Sequence, residues 1–192
     1  HTFSEIADLL NAEFKKLDSD YFAGYEVRPK EVALSVPMSY LGITGIYIPF
    51  YAEANVNVNI PAFEIPNTMA HEMAHAKGVS QENEANVVSY TLCIRSDDLY
   101  LNYSGLMRAA ANLLNSLSKE DSQTLRERLA PEILQEYRNE NEHYAKYEGW
   151  VDRISSFFND LFLKANGVPS GTRSYSETTR SLVALYEQLT QT

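Results

Sequence analysis

Residues Pro66–Tyr90, PNTMAHEMAHAKGVSQENEANVVSY, decide how the rest of the chain is read, because they contain HExxH as His71, Glu72, Met73, Ala74 and His75. Residues four apart on a helix share one face, roughly 6 Å from each other, so both imidazoles can reach one metal ion. Glu72 lies between them, where its carboxylate can accept a proton from a metal-activated water. Asn67 or Thr68 can cap the helix after Pro66, and Gly78 can supply the left-handed residue that ends it. Met69, Ala70, Met73 and Ala74 give it an apolar surface to bury. Solvated or packed histidines without a metal are the plain alternative.

A hydrolytic zinc site takes three protein ligands and a water, and two acids follow closely, Glu82 and Glu84. Ser80 can cap a second helix, QENEANVVSYTLCI. At roughly 100° per residue, Glu84 points about 200° away from Glu82, so both cannot aim at one ion. Glu82 is the expected ligand, since ExxAN places Asn86 one turn later, where it can bond a ligand histidine and fix its ring. The alternatives are Glu84 as the ligand, or Glu82 as an acid favoured in a first helical turn by the dipole.

HExxH followed by ExxAN resembles the glutamate-zincins, metallopeptidases that take two histidines from one helix and a glutamate from the next. The turn at Gly78 is similar to that of the metzincin pattern HExxHxxGxxH, but the last position is Gln81, a poor zinc ligand. More closely, the chain resembles an uncharacterised bacterial family of membrane-anchored, zinc-peptidase-like proteins known only as a domain of unknown function. The matching pieces are GIYIPFYAEANVNVNIP (Gly45 to Pro61), HEMAHAKGVSQENEAN, NYSG (Asn102 to Gly105) and NDLFLKANGVPSGTRSY (Asn159 to Tyr175). The resemblance runs from about Val32 onward, includes Glu53 without giving it a role, and brings no assigned substrate. It implies N-terminal membrane segments, so a chain starting at His1 is expected to be a fragment of a longer membrane-anchored protein, its domain extracytoplasmic.

One domain, residues 1–192, accommodates this length, with 44% hydrophobic and 22% charged residues. No apolar run approaches the roughly 20 residues of a membrane span, and no signal peptide is visible. Sixteen basic against 26 acidic residues give a net charge of -10, which disfavours nucleic acid and anionic membrane surfaces as partners. The single Cys93 excludes an intrachain disulfide and reads as buried filler.

FSEIADLLNAEFKKLD, residues 3–18, places Phe3, Ile6, Leu9, Leu10, Phe14 and Leu17 at helical spacing. EVALSV (Glu31 to Val36) and GITGIYIPF (Gly42 to Phe50) read as strand-forming runs. NVNVNI (Asn55 to Ile60) alternates strictly, as a half-buried strand does. Placed just before the metal helix, that strand is expected at a sheet edge, with Tyr51 to Asn57 flanking the cleft and Asn55 and Asn57 meeting an extended substrate. A strand with one solvated face is the equal alternative. Ser96, Asp97 and Asp98 open a further helix. On it, Tyr103 is the candidate phenol for stabilising an oxyanion, with packing as its other reading. Pro131 to Ala165 reads as largely helical, polar first and apolar in ISSFFNDLFL, with His143 at the surface. NGVPSGTRSY reads as a loop whose Arg173 or Tyr175 can face the cleft, and SETTRSLVALYEQL reads as a closing helix.

These readings converge on a mainly helical α+β domain, zincin-like, with a small sheet and an active-site helix. The expected chemistry is zinc-dependent hydrolysis of a peptide or protein substrate, with zinc on His71, His75 and Glu82 and Glu72 as general base. The alternative is a non-hydrolytic zinc-binding sensor or interaction domain of a membrane protein, recognisable by a fourth protein ligand.

Overall fold

A computed structural model describes residues 1–17, 20–148 and 171–190, with the side chains of 20–21, 171–177 and 189–190 excepted. Among the described residues the chain is mainly helical, with one three-stranded sheet. Helix α1 (Phe3–Lys16) opens on a capping box between Thr2 and Glu5, and its Ile6, Leu10 and Phe14 are buried. A short α2 (Asp20–Ala23) leads to β1 (Lys30–Glu31), followed by α3 (Ser35–Tyr40), β2 (Gly45–Ile48) and β3 (Glu53–Val56). The helix that carries HExxH is α4 (Ile65–Ala76), followed by α5 (Glu82–Arg95), α6 (Leu99–Ser116), α7 (Lys119–Arg126), α8 (Pro131–Ala145) and α9 (Gly171–Thr190). No helix among the described residues is long and apolar enough to cross a membrane.

Helix α4 runs through the middle of the molecule. Its Met69, Ala70, Met73 and Ala74 are fully buried in one core with α1, the sheet and α5, leaving the His71 and His75 side turned toward a cleft. The helix starts earlier than expected: Pro66 sits in its first turn, where its missing N–H costs nothing, so Asn67 and Thr68 lie inside the helix. Gly78, at φ +96°, turns the chain back toward α5, whose N-cap is Gln81 rather than Ser80.

The sheet corrects the strand reading. Its order is β1-β3-β2, with β1 parallel and β2 antiparallel to β3. NVNVNI contributes only Asn55 and Val56 to β3, which is the central strand; the edge near α4 is β2. EVALSV pairs only at its start, because Ser35 Oγ donates to the Val32 carbonyl (2.7 Å) and the chain coils into α3.

The later helices differ from expectation as well. His143, expected at the surface, is half-buried: its imidazole N–H donates to the Asn59 carbonyl (3.0 Å) and it packs against Tyr144 and Tyr147, tying α8 to the segment after β3. Helix α8 ends at Ala145, and ISSFFNDLFL lies outside the described residues. The part of NGVPSGTRSY from Gly171 onward is helical, while the side chains of Arg173 and Tyr175 are outside the description. Cys93 is buried as expected, and burial pushes its thiol up to about 12.

Candidate metal centre

The first turn of α5 is laid against the last turns of α4 by the Gly78 reversal, and this brings Glu82 to the two histidines. His71 Nε2 and His75 Nε2 are 3.0 Å apart, His71 Nε2 is 3.1 Å from Glu82 Oε2, and His75 Nε2 is 3.5 Å from Glu82 Oε1. A tetrahedral ion bonded at about 2.0–2.1 Å holds its ligand atoms about 3.3 Å apart, so the triangle has the size such an ion requires. His71, His75 and Glu82 form the one group of three or more metal-ligating side chains among the described residues. Glu84 is exposed on another face of α5.

The donor chemistry fits a cation too. His75 Nδ1–H donates to the Val79 carbonyl (2.6 Å), which leaves the Nε2 lone pair aimed at His71 Nε2. Two imidazole lone pairs at that distance repel unless a proton or a metal ion stands between them. Tyr47 stacks on the His75 ring, with centroids 6.4 Å apart and planes at 17°, and holds it from the sheet side. Burial alone would raise the Glu82 carboxyl, but hydrogen bonds and charge from His71 and His75 outweigh it and hold the group well below the usual carboxylate range. For His75, burial opposes protonation, yet the bond to Glu82, the charges of Glu82 and Glu72 and the Val79 carbonyl raise its basicity.

Glu72 is 6% exposed, and its carboxylate lies on the backbone of Gly45 in β2. Burial pushes its carboxyl up to about 7, with Glu82 adding to the rise and His71 and His75 opposing it. A Cβ at Gly45 would stand 2.5 Å from Glu72 Oε1 and 2.7 Å from its Cγ, so only glycine leaves the carboxylate in place. Were the cleft to hydrolyse peptides on a zinc ion, Gly45→Ala would be expected to cut hydrolysis by about 100-fold, the cost of roughly 1 Å of misplacement, with zinc per chain unchanged. Zinc analysis alongside peptide-digestion rates checks this, and full activity in Gly45→Ala would contradict it.

These groups face a cleft of about 300 Å³, walled by residues 42–46 on one side and by α4, Glu82, Asn86, Tyr90 and Arg108 on the other. Asn86 lines it one turn beyond Glu82, but no described hydrogen bond joins its side chain to either histidine; the Val79 carbonyl orients His75 instead.

Three expected residues are placed elsewhere. Asn57 is fully buried: its Nδ2 donates to Ser39 Oγ (3.0 Å) and to the Ile43 carbonyl (2.8 Å), and its Oδ1 accepts from Asn59 N–H (2.8 Å). It cannot meet a substrate, and its work is to hold the 43–44 wall of the cleft. Asn55 donates to the Glu53 carbonyl (3.1 Å) within the sheet and does not line the cleft. Tyr103 packs edge-on against Phe63, in a cluster with Met107 and Tyr137, away from the histidines. Gly45, Tyr90 and Arg108 were not anticipated. Tyr90 follows Glu82 and Asn86 at four-residue steps, and Arg108 is a lone base in the otherwise uncharged run of α6, so both left a trace in the sequence.

A family model described as "Protein of unknown function (DUF3810)" matches residues 1–183. No curated protein and no solved structure matches the chain.

Proposed function

The chain belongs to the DUF3810 family, whose description assigns no chemistry, and from that premise we propose that it is a zinc-dependent metallopeptidase. One observation carries the reading: His71, His75 and Glu82 converge within 3.0–3.5 Å of one another, with the buried Glu72 beside them in an open cleft. A purely structural site would close around its ion with a fourth protein ligand, and no further His, Cys, Asp or Glu joins the group among the described residues.

His71, His75 and Glu82 would hold the ion. When bound, zinc supplies Lewis-acid chemistry, polarising a scissile carbonyl and making water acidic enough to deprotonate near neutral pH. Glu72 accepts the proton from the attacking water at its carboxylate and returns it to the leaving amine nitrogen, as the water oxygen bonds to the carbonyl carbon and the C–N bond breaks. Among the described residues no strand pairs with the outer edge of β2, which lies along the cleft wall and favours an extended peptide over a compact substrate.

The testing experiment removes zinc with a chelator, restores one equivalent and follows digestion of a peptide mixture by mass spectrometry. Cleavage is expected with zinc, lost on chelation and regained on addition. Free zinc at 1,000 times its Kd is expected to stabilise the fold by about 4 kcal/mol, read as a rise in Tm. A chain that binds no zinc under these conditions would overturn the reading.

A further inference from the structure

Arg108 is the one lysine or arginine lining the cleft among the described residues. Its side chain is 33% exposed, and both of its ion pairs use one nitrogen: Nη1 lies 3.3 Å from Glu64 Oε2 and 3.2 Å from Glu140 Oε1. Nη2 and Nε bond no described residue. Those two nitrogens form one edge of the guanidinium plane, the edge whose paired N–H groups match the two oxygens of a carboxylate. The two acids thus fix the head group by one corner and leave its recognition edge unused.

The anchor is rigid. Glu64 is fully buried at the start of α4, its Oε2 also accepting from the Tyr144 hydroxyl (2.9 Å), and Glu140 comes from α8. The same helical face of α6 carries Ser104, one turn before Arg108, whose Oγ accepts from the Asn67 N–H (3.1 Å) and locks α6 to α4. Asn67 also lines the cleft, is 6% exposed, and its side-chain amide lies against the buried Cys93 thiol. Burial and the charge of Glu64 push the Glu140 carboxyl up to about 7, so near neutral pH the two acids do not carry two full charges against the single charge of Arg108. Of the other acids lining the cleft, Glu82 is held by His71 and His75 and Glu72 lies against Gly45 of β2.

We propose that the α6 wall of the cleft is a carboxylate-binding subsite built on Arg108, so that the substrate presents a carboxylate there. This deepens the metallopeptidase reading and rests on it for the word substrate; the anion site itself does not. The carboxylate belongs either to the C-terminus of a peptide or to an Asp or Glu side chain near the scissile bond.

The test reads Arg108 directly. The side-chain Nε–H resonance of ¹⁵N-labelled protein, assigned by its loss in the charge-conserving Arg108→Lys, is followed while three acetylated tripeptides are titrated in. One has a free C-terminus and an internal Gln, one a C-terminal amide and an internal Glu, and one a C-terminal amide and an internal Gln. At least one acid-bearing peptide is expected to shift the resonance and to bind tenfold or more tightly than the uncharged one, and which of the two does so identifies the source. The imidazole resonances of His71 and His75 are recorded in parallel with added zinc. Equal or absent responses to all three peptides, in protein whose histidines respond to zinc, would overturn the carboxylate subsite and leave the metal reading standing. An Arg108 response to acids in protein whose histidines ignore zinc would refute the metal reading and keep the subsite.

Discussion

Glu72→Gln is expected to lower peptide hydrolysis by about 10²–10⁴-fold while zinc stays near one per chain. Glutamine has the same shape and fits the hollow above Gly45, where even one added carbon would collide with the Glu72 carboxylate, so the fold and the ligand triangle remain. What disappears is the oxygen proposed to take the proton from water. The same substitution has a second signature, in stability and of opposite sign. The folded carboxyl stands at about 7, above its ordinary 4.5, because burial disfavours its charge. A carboxyl raised in this way costs nothing below about pH 4.5, where both folded and unfolded chains hold the proton, and costs most above pH 7, where the folded chain must ionise it. Metal-free Glu72→Gln is therefore expected to be more stable than the unmodified chain at pH 8, by an amount on the order of 3 kcal/mol, and no more stable at pH 4. Thermal melts of chelated protein at the two pH values, with zinc analysis and digestion rates on the loaded protein, check both halves. Hydrolysis at the unmodified rate by Glu72→Gln would contradict the proton-transfer role assigned here.

The sequence made the convergence of His71, His75 and Glu82 legible and the cleft around it only in part, and the reason is range. His71 and His75 are related by one helical turn, and Glu82 by the next helix start after a Gly78 turn, so local periodicity and capping suffice to bring them together. The direction of Tyr103 depends on how α6 rotates against α4 and α8. Ser104 and Arg108 take the face toward α4, and Tyr103, one residue away, is carried to Phe63 and Tyr137. Alternation in NVNVNI separates two faces but does not say what each face meets. Asn57 looks solvated in the sequence because asparagine is polar, yet Ser39, Ile43 and Asn59 supply its partners and bury it completely. Which strand of a three-stranded sheet is central depends on a pairing with Lys30–Glu31, some 25 residues earlier, and no pattern within the run encodes it.

Glu82→Ala is expected to lose zinc where Glu84→Ala keeps it, and the contrast separates a site from a composition effect, because each variant removes one acid from the same first turn of α5. Losing a residue that merely supports a ligand already weakens metal sites by about 10–100-fold, so loss of a ligand itself is expected to exceed 100-fold. In Glu82→Ala the two Nε2 atoms remain 3.0 Å apart with no carboxylate to share a proton with them, and only two ligands face the cleft. Acidification acts through the other two corners. Glu82 is held below the ordinary carboxylate range and stays ionised, so zinc is displaced as protons compete for His71 and His75, and the raised basicity of His75 brings that competition on at higher pH than for an isolated imidazole. Elemental analysis after dialysis at a fixed free-zinc level, repeated from pH 8 down to pH 5, checks both the variant pair and the direction of the pH effect. Zinc retained equally by Glu82→Ala and Glu84→Ala would remove Glu82 from the ligand set and, with it, the three-ligand site on which a hydrolytic reading depends.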